Sequence, residues 1–211
     1  MEWRGMKPLA CVTCGPSFEP IDEVRRITNF STGEIGVHLQ NALERAGAET
    51  ICFRGAGATA ARPRGDVREF TTNASLAAAL HGFGRAPDLI FHAAALSDFI
   101  VRAIEGACGA KLESRSGDVR LTLSPAPKLL PQFRSWFPNA VIVGWKYELD
   151  GNRGQALARG AAQIAEARTD ACVVNGRAFG DGFGLLLSDE RVETFPDKIT
   201  LATALADRFV R

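Results

Sequence analysis

The sequence predicts a doubly wound, Rossmann-like α/β fold: a mostly parallel sheet with helices on both faces and hairpin excursions. Short runs that are apolar at every position recur along the chain, as strands buried on both faces do. Amphipathic segments with helical spacing stand between them, and tight turn signals close each unit. A strand, a loop and a helix repeated in this way build a parallel sheet.

The first run, Pro8 to Cys14, is short and apolar and stops at Gly15-Pro16. A polar stretch leads to Ser31-Thr-Gly-Glu34, which has capping-box spacing. Ile35, Leu39, Ala42, Leu43 and Ala46 then recur at helical spacing until Gly47. Thr50 to Phe53 reads as a second strand and Val67 to Thr71 as a third. Leu76, Leu80 and Phe83 mark a second helix with Asn73 as its cap, and Leu89 to Ala95 is a fourth strand. Ala140 to Val143 and Ala171 to Val174 flank an Ala-rich helix over 152–167. Two hairpins interrupt the rhythm: Lys111 to Ser114 with Val119 to Leu123 around Ser116-Gly-Asp118, and Leu185 to Leu187 with Val192 to Phe195 around Ser188-Asp-Glu190. A last helix carries Leu201, Leu205 and Phe209 on one face. With no repeat or flexible linker, residues 1–211 are expected to form one domain.

Composition removes several function classes. Twenty-five basic residues against 24 acidic ones leave a formal charge of +1, so no global field draws a nucleic-acid backbone, and an anion site must be a local pocket. The first ten residues do not read as a signal peptide, and no run of about 18 apolar residues suggests a membrane span. Five cysteines, an odd number in a chain able to build a core without staples, point to reduced thiols and a cytoplasmic location.

The cysteine pair Cys11-Val-Thr-Cys14 lies inside a strand, and Cys52, Cys108 and Cys172 are scattered singly, so these read as packing residues rather than a zinc or redox site. Gly55-Ala-Gly-Ala-Thr-Ala60 matches a dinucleotide fingerprint, but Arg62-Pro63-Arg64-Gly65 occupies the place where its helix should begin. A short-chain reductase would need a Tyr with a Lys four residues on. The single tyrosine is Tyr147, and residue 151 is Gly.

Ligands of a doubly wound sheet bind beyond the carboxyl ends of its strands. After the first strand, Gly15, Arg25, Asn29, Ser31, Thr32 and Gly33 precede a helix N-terminus, where free N–H groups, hydroxyls and a guanidinium suit an anion. After the fourth, Ala93-Ala-Ala95 lets a flat ring approach the backbone, and Asp98 could hold hydroxyls or a metal. Lys111 opens the first hairpin. Trp145 and Lys146 pair an aromatic surface with a cation.

These segments together resemble the phosphopantothenate–cysteine ligase family over nearly the full length. Val24-Arg-Arg-Ile-Thr-Asn-Phe-Ser-Thr-Gly33 is similar to its V-R-x-I-S-N-x-S-S-G element, and Ala93 to Phe99 to its A-A-A-V-[AS]-D-[YF] strand end. Lys111-Leu-Glu-Ser114, Gly144-Trp-Lys-Tyr-Glu148 and Val173-Val-Asn175 resemble three further motifs in register. The resemblance implies that 4'-phosphopantothenate is activated by CTP or ATP with Mg²⁺ to an acyl-nucleotide, from which the amine of L-cysteine displaces the nucleotide. It places Asn29, Arg25 and Ala94 in acyl-nucleotide formation and Lys111 in the second step. Nucleotide contacts are expected from Gly15, Ser31, Thr32, Gly33, Asp98, Trp145 and Lys146; metal ligands are not assigned. Bifunctional members carry a flavin-dependent decarboxylase ahead of this region, so a first strand near residue 8 implies a stand-alone ligase without FMN, and relatives imply a homodimer. The competing readings are a carboxylate-activating enzyme with another acceptor and a non-enzymatic nucleotide-binding module.

Overall fold

A computed structural model describes residues 6–82, 84–106, 110–113 and 117–210. Its centre is an eight-stranded sheet. In spatial order the strands are β12 (Val192–Phe195), β11 (Phe183–Leu187), β10 (Ala171–Asn175), β9 (Val141–Tyr147), β6 (Leu89–His92), β1 (Leu9–Cys14), β4 (Glu49–Gly55) and β5 (Asp66–Phe70). All neighbours from β10 to β5 run parallel, and only the β10–β11–β12 edge is antiparallel. The chain runs outward from β1 through β4 to β5, then returns to β6 on the other side of β1. The switch in direction therefore falls between β1 and β6, where such sheets open a crevice.

Alternation along each strand feeds two cores. Ala10, Val12, Leu89 and Phe91 face α1 (Glu34–Arg45) and α5 (Lys198–Val210). Leu9, Cys11, Ile51 and Ile90 face α2 (Asn73–His81) and α3 (Leu130–Trp136). Cys172 and Val174 continue that second face under α4 (Arg153–Ala167). Every position of β1 is buried, which is why its sequence reads as an unbroken apolar run rather than an alternation.

Several local expectations are corrected. The first hairpin is β7 (Phe99–Glu105) with β8 (Arg120–Pro125), not a pairing of Lys111–Ser114 with Val119–Leu123. Phe99 lies opposite Pro125 and Glu105 opposite Arg120; Ile100, Val101 and Ile104 supply β-branched residues that the lysine segment lacks. Ser114, Ser116, Cys108 and Phe83 lie outside the described residues. The cap of α2 is Thr72, whose hydroxyl accepts from Ser75 N–H at 3.1 Å. Asn73 is instead a buried helical residue. The Ser31–Glu34 capping box does not form: Gly33 is the N-cap of α1, in the left-handed region, without a side-chain cap bond. Two elements had no expectation, the short hairpin of β2 (Phe18–Pro20) with β3 (Arg26–Thr28) and helix α3.

The four described cysteines, Cys11, Cys14, Cys52 and Cys172, are free and buried. Burial pushes Cys11 and Cys172 up to about 12, as packing thiols should be. No described helix is long and apolar enough to cross a membrane.

Candidate active site

A cleft of about 900 Å³ opens beyond the carboxyl ends of β1, β6, β9 and β10. Close backbone approach builds its first wall. Gly15 and Gly33 both have positive φ, 77° and 76°, and a Cβ on either would meet Ala58 at 2.7 and 3.0 Å. The glycine-rich 55–60 segment is thus a prop under this wall: Thr59 and Ala60 N–H both donate to the Thr32 carbonyl, at 3.1 and 2.9 Å. Helix α1 sits close behind, since a Cβ at Gly36 would stand 2.4 Å from Cys14. The segment that enters it lines the cleft from Ser31 to Ile35; Glu34 N–H donates to the Thr32 hydroxyl at 3.3 Å and Gly36 N–H to Gly33 O at 3.1 Å, so this terminus is open to an anion only in part.

The second wall is the loop after β6. Ala95 N–H donates to Gly15 O at 2.9 Å, and Ser17 hydroxyl, Asn73 amide and Ser97 backbone form a chain of bonds at 2.7–2.8 Å that ties this loop to the one after β1. Asn29 spans the two walls, its amide donating to Leu96 O at 2.9 Å and Ala95 O at 3.3 Å. Its own carbonyl oxygen makes no protein hydrogen bond among the described residues. Ala94 and Asp98 line the same side.

Three lysines line the cleft, each beside a carboxylate. Lys128 pairs with Asp98, Lys146 lies 3.6 Å from Glu148, and Lys198 pairs with Glu34. The Lys198 ammonium, with a smaller contribution from His38, outweighs the opposing effect of desolvation and holds the Glu34 carboxyl below its usual range. All three lysine side chains are 37–65% exposed, so the pairs contribute little to stability and can exchange a carboxylate for a ligand phosphate. Trp145 completes this side as a half-buried ring.

Most of the expected site residues therefore converge. Gly15 stands behind the wall, and Asn29, Ser31, Thr32, Gly33, Ala94, Asp98, Trp145 and Lys146 line the cleft. Arg25 and Lys111 do not. Arg25 pairs with Asp22 and donates to Leu112 O at 3.2 Å, beside a separate hollow of about 320 Å³. Asp22 also accepts Leu112 N–H at 3.0 Å. That bond, ahead of those from Val24 and Arg25, holds its carboxyl down to about 2. Glu23 N–H donates to Ala110 O at 3.0 Å. The segment of Lys111, which is itself exposed, thus hangs from the β2–β3 turn beside Arg25. Sequence reading missed Lys128, Lys198 and His92, all of which line the cleft.

Among the described residues no group of three or more His, Cys, Asp or Glu side chains could hold a metal ion.

Residues 6–207 match the family model described as the DNA/pantothenate metabolism flavoprotein C-terminal domain. The coenzyme A biosynthesis bifunctional protein CoaBC of Thermococcus kodakarensis is 31% identical over 172 residues, 80% of this chain and 41% of that relative. The chain spans 41–53% of the length of the CoaBC relatives it matches. The DNA/pantothenate metabolism flavoprotein from Streptococcus pneumoniae superposes with a TM-score of 0.83 at 21% identity, covering 95% of this chain and 97% of that one. A Cab2 mutant in complex with phosphopantothenate-cysteine gives 0.72 at 17% identity, covering 96% and 87%. At these identities the two structures establish a shared fold.

Proposed function

Since the chain belongs to the family of the DNA/pantothenate metabolism flavoprotein C-terminal domain, we propose that it joins 4'-phosphopantothenate to L-cysteine at the expense of a nucleoside triphosphate. The observation that carries the reading is the cleft itself. It brings the N-terminus of α1, the Asn29 bridge and three exchangeable lysines around one space of about 900 Å³, where a polyanion and a carboxylate can meet.

In the first step a carboxylate oxygen of 4'-phosphopantothenate attacks the α-phosphorus, the bond from that phosphorus to the bridging oxygen breaks, and pyrophosphate leaves. In the second the cysteine amine attacks the acyl carbon, the acyl–oxygen bond breaks, the nucleoside monophosphate leaves and the amine loses a proton. Neither step calls for a protein nucleophile. The protein's part is to hold reactants in line and offset charge. Helix α1 N–H groups, Ser31 and Thr32 would take phosphate oxygens, Lys128, Lys146 and Lys198 would offset their charge, and Asn29 would hold the two loops together, its Oδ1 accepting from a substrate N–H or O–H. Lys111 enters on the resemblance alone, as the cation of the second step, with homodimeric assembly and a cytoplasmic setting belonging to the same reading.

Pyrophosphate release with magnesium, comparing CTP with ATP and cysteine with no cysteine, tests this. Release that requires 4'-phosphopantothenate, followed by cysteine-dependent amide, is expected; release without amide would assign another acceptor, and no release would leave a binding module. In the same assay Lys111→Gln should keep the pyrophosphate step and lose most amide formation. Normal turnover by that variant removes Lys111 from the mechanism.

A further inference from the structure

His92 ends β6 at the floor of the cleft, in register with Thr13 on one side and Gly144 on the other. It is 7% exposed, and its ring lies edge-on to Phe133, with centroids 4.8 Å apart. Burial pushes its pKa down to about 4, so the imidazole is neutral at physiological pH. Nδ1 is 2.7 Å from the Thr13 hydroxyl. Thr13 is fully buried, and Nδ1 is the one partner of its hydroxyl among the described residues. A buried hydroxyl proton has to be donated somewhere. Thr13 therefore donates to Nδ1, which fixes the ring as the tautomer protonated on Nε2. That second nitrogen makes no hydrogen bond to the described residues, and it is not among their buried unpartnered polar atoms, so it opens to the cleft.

We propose that His92 Nε2–H is a preset, uncharged donor that recognises an uncharged acceptor on the substrate. The inference rests on the ligase reading for the identity of that substrate. A carbonyl or ring nitrogen of the nucleobase has the required chemistry, and so does an amide carbonyl of 4'-phosphopantothenate. The small residues beside it, Ala93 and Ala94, line the cleft and leave room for a planar group to approach. The lysines cannot do this work: an ammonium selects charge, whereas a neutral N–H penalises a ligand lacking the acceptor by leaving the donor unpaired.

The test is ¹⁵N-histidine NMR on the whole chain at neutral pH, beside calorimetry with each ligand. The His92 ring should show the Nε2–H tautomer before any addition. A non-hydrolysable nucleotide alone should move Nε2 if the base is read, and 4'-phosphopantothenate alone if the amide is. His92→Leu should then raise the KM of that one substrate roughly three- to tenfold, the loss expected for one uncharged hydrogen bond, with His92→Gln recovering part of it through its amide N–H. An Nδ1–H tautomer, or calorimetric binding of both ligands with an unmoved His92, overturns the inference and leaves the ligase reading intact. Binding that moves His92 without ligation removes the ligase reading and keeps the donor.

Discussion

Asn29 shows how one side chain can join two segments and still face a substrate. Its amide nitrogen is committed to the carbonyls of Ala95 and Leu96, and its oxygen is left over for the cleft. Asn29→Asp replaces that donor by an anion facing two carbonyl oxygens, and presents a second negative charge to phosphate and carboxylate. The first step should slow roughly ten- to a hundredfold, read as the amplitude and rate of the pyrophosphate burst; an unchanged burst refutes the assignment. Asn29 was legible in the sequence because it stands just before a helix start. Lys128 and Lys198 were not, since a surface lysine and a lysine on a cleft rim look alike until distant elements are placed. Arg25 was equally legible and stands apart from the cleft. A guanidinium ahead of a helix terminus suggests an anion partner, yet Asp22, three residues earlier and only 2% exposed at its side chain, already holds it.

At the scale of elements, α1 was legible from its periodicity, while its start was not. A capping box needs Ser31 at the N-cap, and Gly33 takes that place with a backbone angle that side-chain-bearing residues rarely adopt. Strands of three residues such as β2 and β3 have no period to detect, and the seven-residue α3 spans barely two turns. The consequence of close packing is testable at Gly36. A methyl there meets Cys14 at 2.4 Å, so α1 must move off β1. Gly36→Ala should cost about 1–3 kcal/mol in urea unfolding, and should raise the KM for nucleotide because the first turn moves with the helix. Wild-type stability together with wild-type KM would show that the gap closes elsewhere.

Across the whole molecule, the strand order puts the cleft where the sheet reverses direction, and the same burial that shapes it sets the response to pH. The neutral imidazole of His92 is favoured in the folded state. Its pKa falls from ~6.5 unfolded to about 4 folded, so the unfolded chain binds the extra proton first and stability drops as pH falls between those values. At ~1.4 kcal/mol per pH unit the loss comes to about 3 kcal/mol. The carboxylates with lowered pKa values, Asp22, Glu34, Asp189 and Asp197, act in a separate window: their contribution is present above ~4 and is lost only below it. On the alkaline side Cys11 and Cys172, raised to about 12, favour the folded state until the unfolded thiols ionise above ~8.5. Urea melts should therefore give a plateau near neutrality and a decline from about pH 6.5 toward 4 that comes mainly from one residue. His92→Leu should flatten that decline while keeping the steeper fall at lower pH, because it removes the imidazole and leaves every carboxylate in place. Parallel losses in the two proteins between pH 6.5 and 4 would mean that His92 is charged in the folded state, and the neutral donor at the floor of the cleft would fall with it.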